Sequence, residues 1–301
     1  MREPCTLVSV DLDDVACYHA IHGLGEPAPE MHALVLERCL PRFLDLFAEL
    51  NVKATFFVVG RDLERDRASG AKGEAVLRRA LADGHELANH GHAHAYDLVT
   101  WSRDAVRADL RACDAALREL GADPLGFRAP GYTHDTALLE VVRELGYAYD
   151  SSSLPSPLYY AAKLGAIALY AITGRPSRSL ARGASSFMGS TAPHRRGELW
   201  ELPMSVTPRL RLPLIGTSLL CTPDGIARRL AEAARRLPYF HLELHALDLA
   251  DGERDGYAPA LRSRQPELRT ALPLKQRRLR SLLLDRGVTT RLRDLVAALD
   301  G

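Results

Sequence analysis

Residues 5–14 read CTLVSVDLDD, a β-branched apolar run that ends abruptly in Asp11, Asp13 and Asp14. The run reads as a short strand. Its reading decides the fold because the same unit recurs along the chain. Residues 54–59 (ATFFVV, closed by Gly60) and 86–89 form further strands, 126–128 the end of another, and 147–150, 199–204 and 239–244 three more. Between them, apolar residues recur at helical spacing over 31–50, 74–82, 103–120, 135–145 and 224–237. Pro41 falls inside the first of these stretches and predicts a break or kink there. Strands alternating with helices imply parallel βα units, hence an open α/β sheet or a βα barrel. No internal repeat or linker interrupts the alternation, so one domain is expected over residues 1–301.

Hydrophobic residues make up 47 % of the 301 and charged residues 26 %, the balance of a globular protein with a sizeable core. A formal net charge of +1 gives no electrostatic case for binding nucleic acid. The first residues carry charges and a proline where a signal peptide needs an apolar core, and no apolar run approaches the ~18 residues of a membrane span. Cys5, Cys17, Cys39, Cys113 and Cys221 are scattered and odd in number, which suits reduced thiols in a cytoplasmic protein.

Two stretches depart from the rhythm. Residues 155–197 read as an insertion, in which the apolar segment LYYAAKLGAIALYAI (158–172) runs into a basic loop. The segment is too short to span a bilayer and reads as a core helix packed on the barrel. The alternative is contact with a lipid or an apolar substrate tail, with the arginines of 175–182 meeting phosphates. Residues 251–301, rich in Arg and Leu, predict two or three amphipathic helices, with Lys275, Arg277, Arg278 and Arg280 on a solvated face.

The chemistry begins at residues 85–98, HELANHGHAHAYDL. His90 and His94 are four apart just after a strand, and one helical turn would set both imidazoles on one face, where they can chelate an ion. A third, hard ligand is available at Asp11-Leu12-Asp13-Asp14. Along a strand Asp11 and Asp13 share a face and Asp14 does not, so one carboxylate can bind the ion while its neighbour acts as base. The choice between Asp13 and Asp14 as ligand stays open. Further polar clusters stand at Gly126 to Tyr132 around Arg128, at Asp150 to Ser153, and at His245, each at a predicted strand end, where α/β sites collect. His92 is expected to face away from the ligands, Glu243 to share the parity of His245, and Cys17 to be a buried inert thiol.

The order of these motifs resembles that of the polysaccharide deacetylase (NodB-homology) family, carbohydrate esterase family four. Asp11-Leu12-Asp13 is similar to an Asp-x-Asp form of its first motif, and His90 to His94 to its His-x-x-x-His. Phe127-Arg128-Ala129-Pro130 is similar to FRxP, Asp150 to Ser152 to Asp-Ser-Ser, and His245 to the final histidine. The motifs lie within residues 11–248. The glycine usual after the paired aspartates is absent, and Gly131 stands where many members place an aromatic.

The resemblance implies a distorted (β/α) barrel with one divalent metal ion held by Asp13, His90 and His94, zinc first, with cobalt, iron or nickel as alternatives. It implies Asp11 as base, His245 as acid, Arg128 holding Asp11 ionised, and Asp150 fixing the tautomer of His245. A backbone N–H near Gly131 and Tyr132 would stabilise the oxyanion. The implied reaction is removal of an acetyl or other small acyl group from an N-acylated or lipid-linked sugar, nearest the branch tied to exopolysaccharide or lipid-linked sugar metabolism. That branch suggests peripheral contact with the inner face of a membrane. Hydrolysis of another amide or of an O-acetyl ester is the alternative, and a non-catalytic carbohydrate-binding relative a further one.

Overall fold

The computed structural model describes residues 4–172 and 184–301, so the arginines of 175–182 lie outside the described residues. Eight strands form one sheet: β1 (Cys5–Asp11), β2 (Thr55–Val58), β3 (Glu86–Asn89), β4 (Gly126–Phe127), β5 (Tyr149–Asp150), β6 (His194–Arg196), β7 (Leu199–Glu201) and β8 (Tyr239–His245). Their order is β6-β7-β5-β4-β3-β2-β1-β8, parallel throughout except for the antiparallel pair β6–β7. Past β7 the chain runs on between β5 and β8. The Met204 N–H donates to the Ser153 carbonyl at 2.9 Å and the Ser205 N–H to the His241 carbonyl at 3.1 Å. These bonds curl the sheet into the distorted barrel that the resemblance implies, one of the two architectures that the alternation of elements leaves open.

Period-two alternation sorts the side chains. From β1 and β8, Val8, Val10, Phe240, Leu242 and Leu244 join the large core beneath the surrounding helices. Their neighbours turn the other way. At one end Leu7, Phe57, Ala88, Tyr149 and Leu202 pack with Leu292 and Val296 of the helix Leu292–Asp300. Toward the other end the same strand faces carry Ser9, Asp11, His241 and Glu243, all buried. The apolar plug thus seals the N-terminal end of the barrel, and the polar residues collect at the C-terminal ends of the strands.

The break expected at Pro41 is a change of helical hydrogen-bond register. Residues Val35–Cys39 are wound as π helix before the α-helix Leu40–Glu49, so the proline stands in a first turn, where its missing N–H costs nothing. Three helices escape the apolar periodicity, among them the short Gly216–Leu220. In Gly60–Ser69 (GRDLERDRAS) Leu63 is the one large apolar side chain buried, and Val15–His22 follows directly on the aspartates.

Two expectations are corrected. Lys275 is not on a solvated face: its side chain is buried, and Nζ donates to the carbonyls of Leu247 (3.2 Å), Ala250 (2.8 Å) and Glu267 (2.5 Å). The apolar segment forms the helix Pro157–Ile172, but it lies at the surface rather than in the core. Tyr159 and Tyr160 stack on Phe187, whereas Leu158 and Leu164 stay exposed. No helix among the described residues is long and apolar enough to cross a membrane.

Candidate active site

β1 ends at Asp11, and the next two residues turn the chain into the helix Val15–His22. Asp14 caps that helix, accepting from the Ala16 N–H at 2.6 Å, and is tied down by His32 (2.8 Å) and Arg65 (3.2 Å). Asp13 is left to face the barrel mouth. Its Oδ1 lies 3.3 Å from His90 Nε2 and 3.1 Å from His94 Nε2. The structure therefore brings Asp13, not Asp14, to the two histidines.

The histidines do not sit on a helical turn. Residues 90–97 form an irregular loop in which Gly91 (φ 77°) and His94 (φ 47°) are left-handed. Asp109 holds it from below, accepting from the His92 N–H (2.8 Å) and the Ala93 N–H (2.9 Å), while Asn89 Oδ1 accepts from the Gly91 N–H at 2.7 Å. The four-residue spacing works because this loop folds back on itself. His92 turns away, toward Glu64 at 3.7 Å.

The ring orientations suit an ion. His90 Nδ1–H donates to the Arg128 carbonyl at 2.8 Å, which leaves an Nε2 lone pair facing Asp13. Cys17 Sγ lies 3.2 Å from His94 Nδ1 and can hold its proton in the same way. Asp13 Oδ1 and His94 Nε2 are both buried with no hydrogen-bond partner, an expensive arrangement unless a cation satisfies them. One ligand atom each from Asp13, His90 and His94 falls within 4.8 Å of the others, so the residues present fit a three-ligand metal site with open positions. Burial works to raise the Asp13 pKa, but the two imidazoles outweigh it and hold the carboxyl well below its usual range.

Two pairs flank this centre. Arg128, fully buried after β4, donates from Nη1 to Asp11 Oδ1 at 2.5 Å, from Nε to the Ser151 carbonyl at 2.8 Å, and from Nη2 to Ser9 Oγ at 3.0 Å and Ser151 Oγ at 2.9 Å. The guanidinium stacks over Phe57, 4.1 Å from the ring centre. Across the mouth, His245 at the end of β8 sets Nδ1 3.0 Å from Glu243 Oε1 and Nε2 3.8 Å from Asp13 Oδ2. Burial disfavours the imidazolium, yet Glu243, Asp13 and Asp11 outweigh it and lift His245 well above the usual imidazole value.

Glu243 thus takes the place expected for Asp150. The Asp150 carboxylate accepts from Ser152 Oγ at 2.6 Å and pairs with Glu201 beside it on β7. Strand parity alone pointed to Glu243, since it stands two residues before His245.

Tyr132 also differs from expectation. Its backbone N–H closes the turn onto the Ala129 carbonyl at 3.0 Å, and the group it turns to the site is the hydroxyl, 3.5 Å from His245 Nε2. Gly131 (φ 61°) lies under Tyr96, whose ring would be 2.7 Å from an added Cβ. Tyr96, a residue the motif reading passed over, packs edge-on against His94 with ring centres 5.2 Å apart. It therefore supplies an aromatic beside Gly131.

Residues 30–149 match the family model described as polysaccharide deacetylase. A peptidoglycan deacetylase of Helicobacter pylori is 25 % identical over 154 residues, 50 % of this chain and 50 % of its own length. A chitin deacetylase of Colletotrichum lindemuthianum is 32 % identical over 120 residues, 40 % of this chain and 47 % of its own. The chain spans about half the length of the curated relatives it matches. A structure from Mycobacterium smegmatis assigned to the polysaccharide deacetylases superposes with a TM-score of 0.63 at 19 % identity, over 99 % of this chain and 91 % of that one. Its fold is the fold described above.

Proposed function

We propose that this chain, which carries a polysaccharide deacetylase-type domain, hydrolyses the amide of an N-acylated sugar, releasing acetate or another small carboxylate and a free amine. One observation carries the reading: a buried Asp–His–His triplet stands between an Asp11–Arg128 pair on one side and a Glu243–His245 pair on the other. A divalent ion held by Asp13, His90 and His94 would supply Lewis acidity toward the acyl carbonyl and acidify nearby water.

The remaining work falls to the chain's own groups. Arg128 occupies Asp11 Oδ1, which leaves Oδ2 to accept a proton from the attacking water. The water oxygen bonds to the carbonyl carbon as the C–N bond breaks. His245, held protonated by Glu243, donates from Nε2 to the departing nitrogen. The rings of Tyr96, Tyr132 and Tyr159 give the mouth broad apolar faces with polar tips, a surface suited to a pyranose ring. The sugar preference rests on the similarity to the peptidoglycan and chitin deacetylases.

The test is a panel of N-acetylated oligosaccharides, O-acetyl esters and simple formamides, offered to protein loaded with zinc, cobalt, iron or nickel. Acetate release and loss of acetyl mass are followed. Release from the N-acetyl sugars is expected. A fully metal-loaded protein that cleaves only esters or formamides, or nothing, overturns the proposal.

A further inference from the structure

The helix Pro157–Ile172 presents to solvent a face with no charge on it. Leu158, Ala161, Ala162, Leu164, Gly165, Ala166 and Ala168 are exposed, Leu158 by 51 % and Leu164 by 41 %. The helix carries one basic residue, Lys163, whose Nζ donates to the Gly131 carbonyl at 3.0 Å. Inward, Tyr159 and Tyr160 pack on Phe187 and Tyr159 meets Tyr132 of the catalytic mouth. A helix in water normally turns polar residues outward, and this one does the reverse.

The apolar surface continues beyond the helix. Met188, next to Phe187, is 46 % exposed, and Leu210, at the tip of the hairpin joined at Val206 and Pro213, is 65 % exposed. Arg211 ties that hairpin to the same side by donating to the Gly189 carbonyl at 3.1 Å. The surrounding stretch of sequence is basic, and among the described residues Arg209 and Arg211 flank Leu210, while Arg195 and Arg196 are paired with Asp300 and Glu201. From Ser151 to Pro223 the acids are Glu198 and Glu201, against Lys163 and seven arginines, in a chain whose overall formal charge is +1. Among the described residues Arg209 has no carboxylate partner, and Glu201 is buried.

We infer that this face docks on an anionic lipid surface, with the helix Pro157–Ile172 and the Leu210 tip entering the headgroup layer and Arg209 and Arg211 meeting lipid phosphates. Apolar side chains seek the acyl boundary while like-signed cations gather at negative headgroups. A second copy of this chain would bring the same positive charges together, which disfavours self-pairing through this face. Because Lys163 and Tyr159 fasten the helix to the Gly131–Tyr132 turn, docking sets the catalytic mouth at the membrane surface. Resting on the proposed reaction, this makes the substrate class an acylated sugar carried by a lipid rather than one free in solution.

Flotation with vesicles of phosphatidylglycerol and phosphatidylcholine, against phosphatidylcholine alone, tests it. Wild-type protein should float with the anionic vesicles and lose binding as salt rises. Leu158→Asp and Leu164→Asp, at exposed positions that folding tolerates, should each weaken partitioning by about tenfold or more. Arg209→Glu should weaken it by about fivefold for each unit of charge removed. Hydrolysis of a soluble N-acetylated oligosaccharide is measured on the same preparations, and both leucine variants should match wild type there. Wild-type protein that ignores anionic vesicles, binding indifferent to the leucine variants, or a patch that drives concentration-dependent dimers instead, each overturns the docking inference. Vesicle binding without hydrolysis overturns the proposed reaction and leaves docking standing.

Discussion

Arg128 has no exposed surface, and its guanidinium is bonded at every nitrogen. Such a group spends its charge on one partner, the Asp11 carboxylate, and fixes which oxygen of Asp11 remains free. Asp11→Asn should therefore lower turnover by about 10²- to 10⁴-fold while metal content stays near one ion per chain. Asp13→Asn should lose the ion itself, since Oδ1 is shared between two imidazoles. Elemental analysis beside turnover separates the two, and equal metal content in all three proteins would remove Asp13 from the ligand set. Cys17 makes a quieter contribution. Its sulfur holds the far nitrogen of His94, so Cys17→Ala should weaken metal affinity by about tenfold. Competition with a chelator measures this, and an unchanged affinity would show that the packing of Tyr96 alone orients the ring.

The loop of residues 90–97 shows what can be read from sequence at the scale of an element and what cannot. Two histidines four apart beside a strand do come together beside Asp13, but the helical turn behind that reading does not form. Gly91 and His94 take left-handed backbones, and Asp109, a helix residue, supplies the anchor through two backbone N–H bonds. Nothing near the histidines in sequence announces Asp109.

Seven of the eight strands were legible as short apolar runs closed by polar or turn residues, whereas β6 (HRR) carries no apolar residue and was not. The Gly60–Ser69 helix was not legible either, because it buries little apolar surface. Glu243 was visible through strand parity, whereas the diversion of Asp150 to Glu201 depends on strand order, which periodicity does not encode. Asp109→Ala should unfasten the loop, lowering stability by about 2–4 kcal/mol from two charge-assisted bonds and weakening metal affinity with it. Urea denaturation with and without metal would test this. A variant as stable as wild type, with full metal affinity, would show that the loop holds its shape alone.

Across the whole molecule, three histidines are held neutral in separate places. Burial pushes His85 and His134 down to about 4 and, with Arg128 adding to it, His241 down to about 3. The unfolded chain protonates such groups first, near pH 6.5. Their contribution to stability is therefore complete above about pH 6.5 and is lost progressively as pH falls toward about 4, where the folded protein begins to take up the proton too. For His85 alone the loss reaches roughly 3 kcal/mol at the lower end. His85→Gln keeps an acceptor near the Ala54 N–H and should flatten the slope of stability between pH 6.5 and 4.5 in urea titrations. A slope identical to wild type would show that His85 does not titrate on unfolding.

β1 lies between β2 and β8, so its two edges are covered by chain from opposite ends of the sequence. During synthesis on the ribosome this imposes an order. Asp13, His90 and His94 have all emerged long before residues 239–245, while one edge of β1 still lacks its partner. The nascent chain thus holds Asp13, His90 and His94 well before it holds Glu243 and His245. Long-range parallel pairing forms slowly, and an unpaired strand edge is prone to wrong partners in the interval. An ion captured early would tie β1 to the loop after β3 and keep that edge in register until β8 arrives. A centre of that kind would serve the newborn chain as a clamp before it served any chemistry.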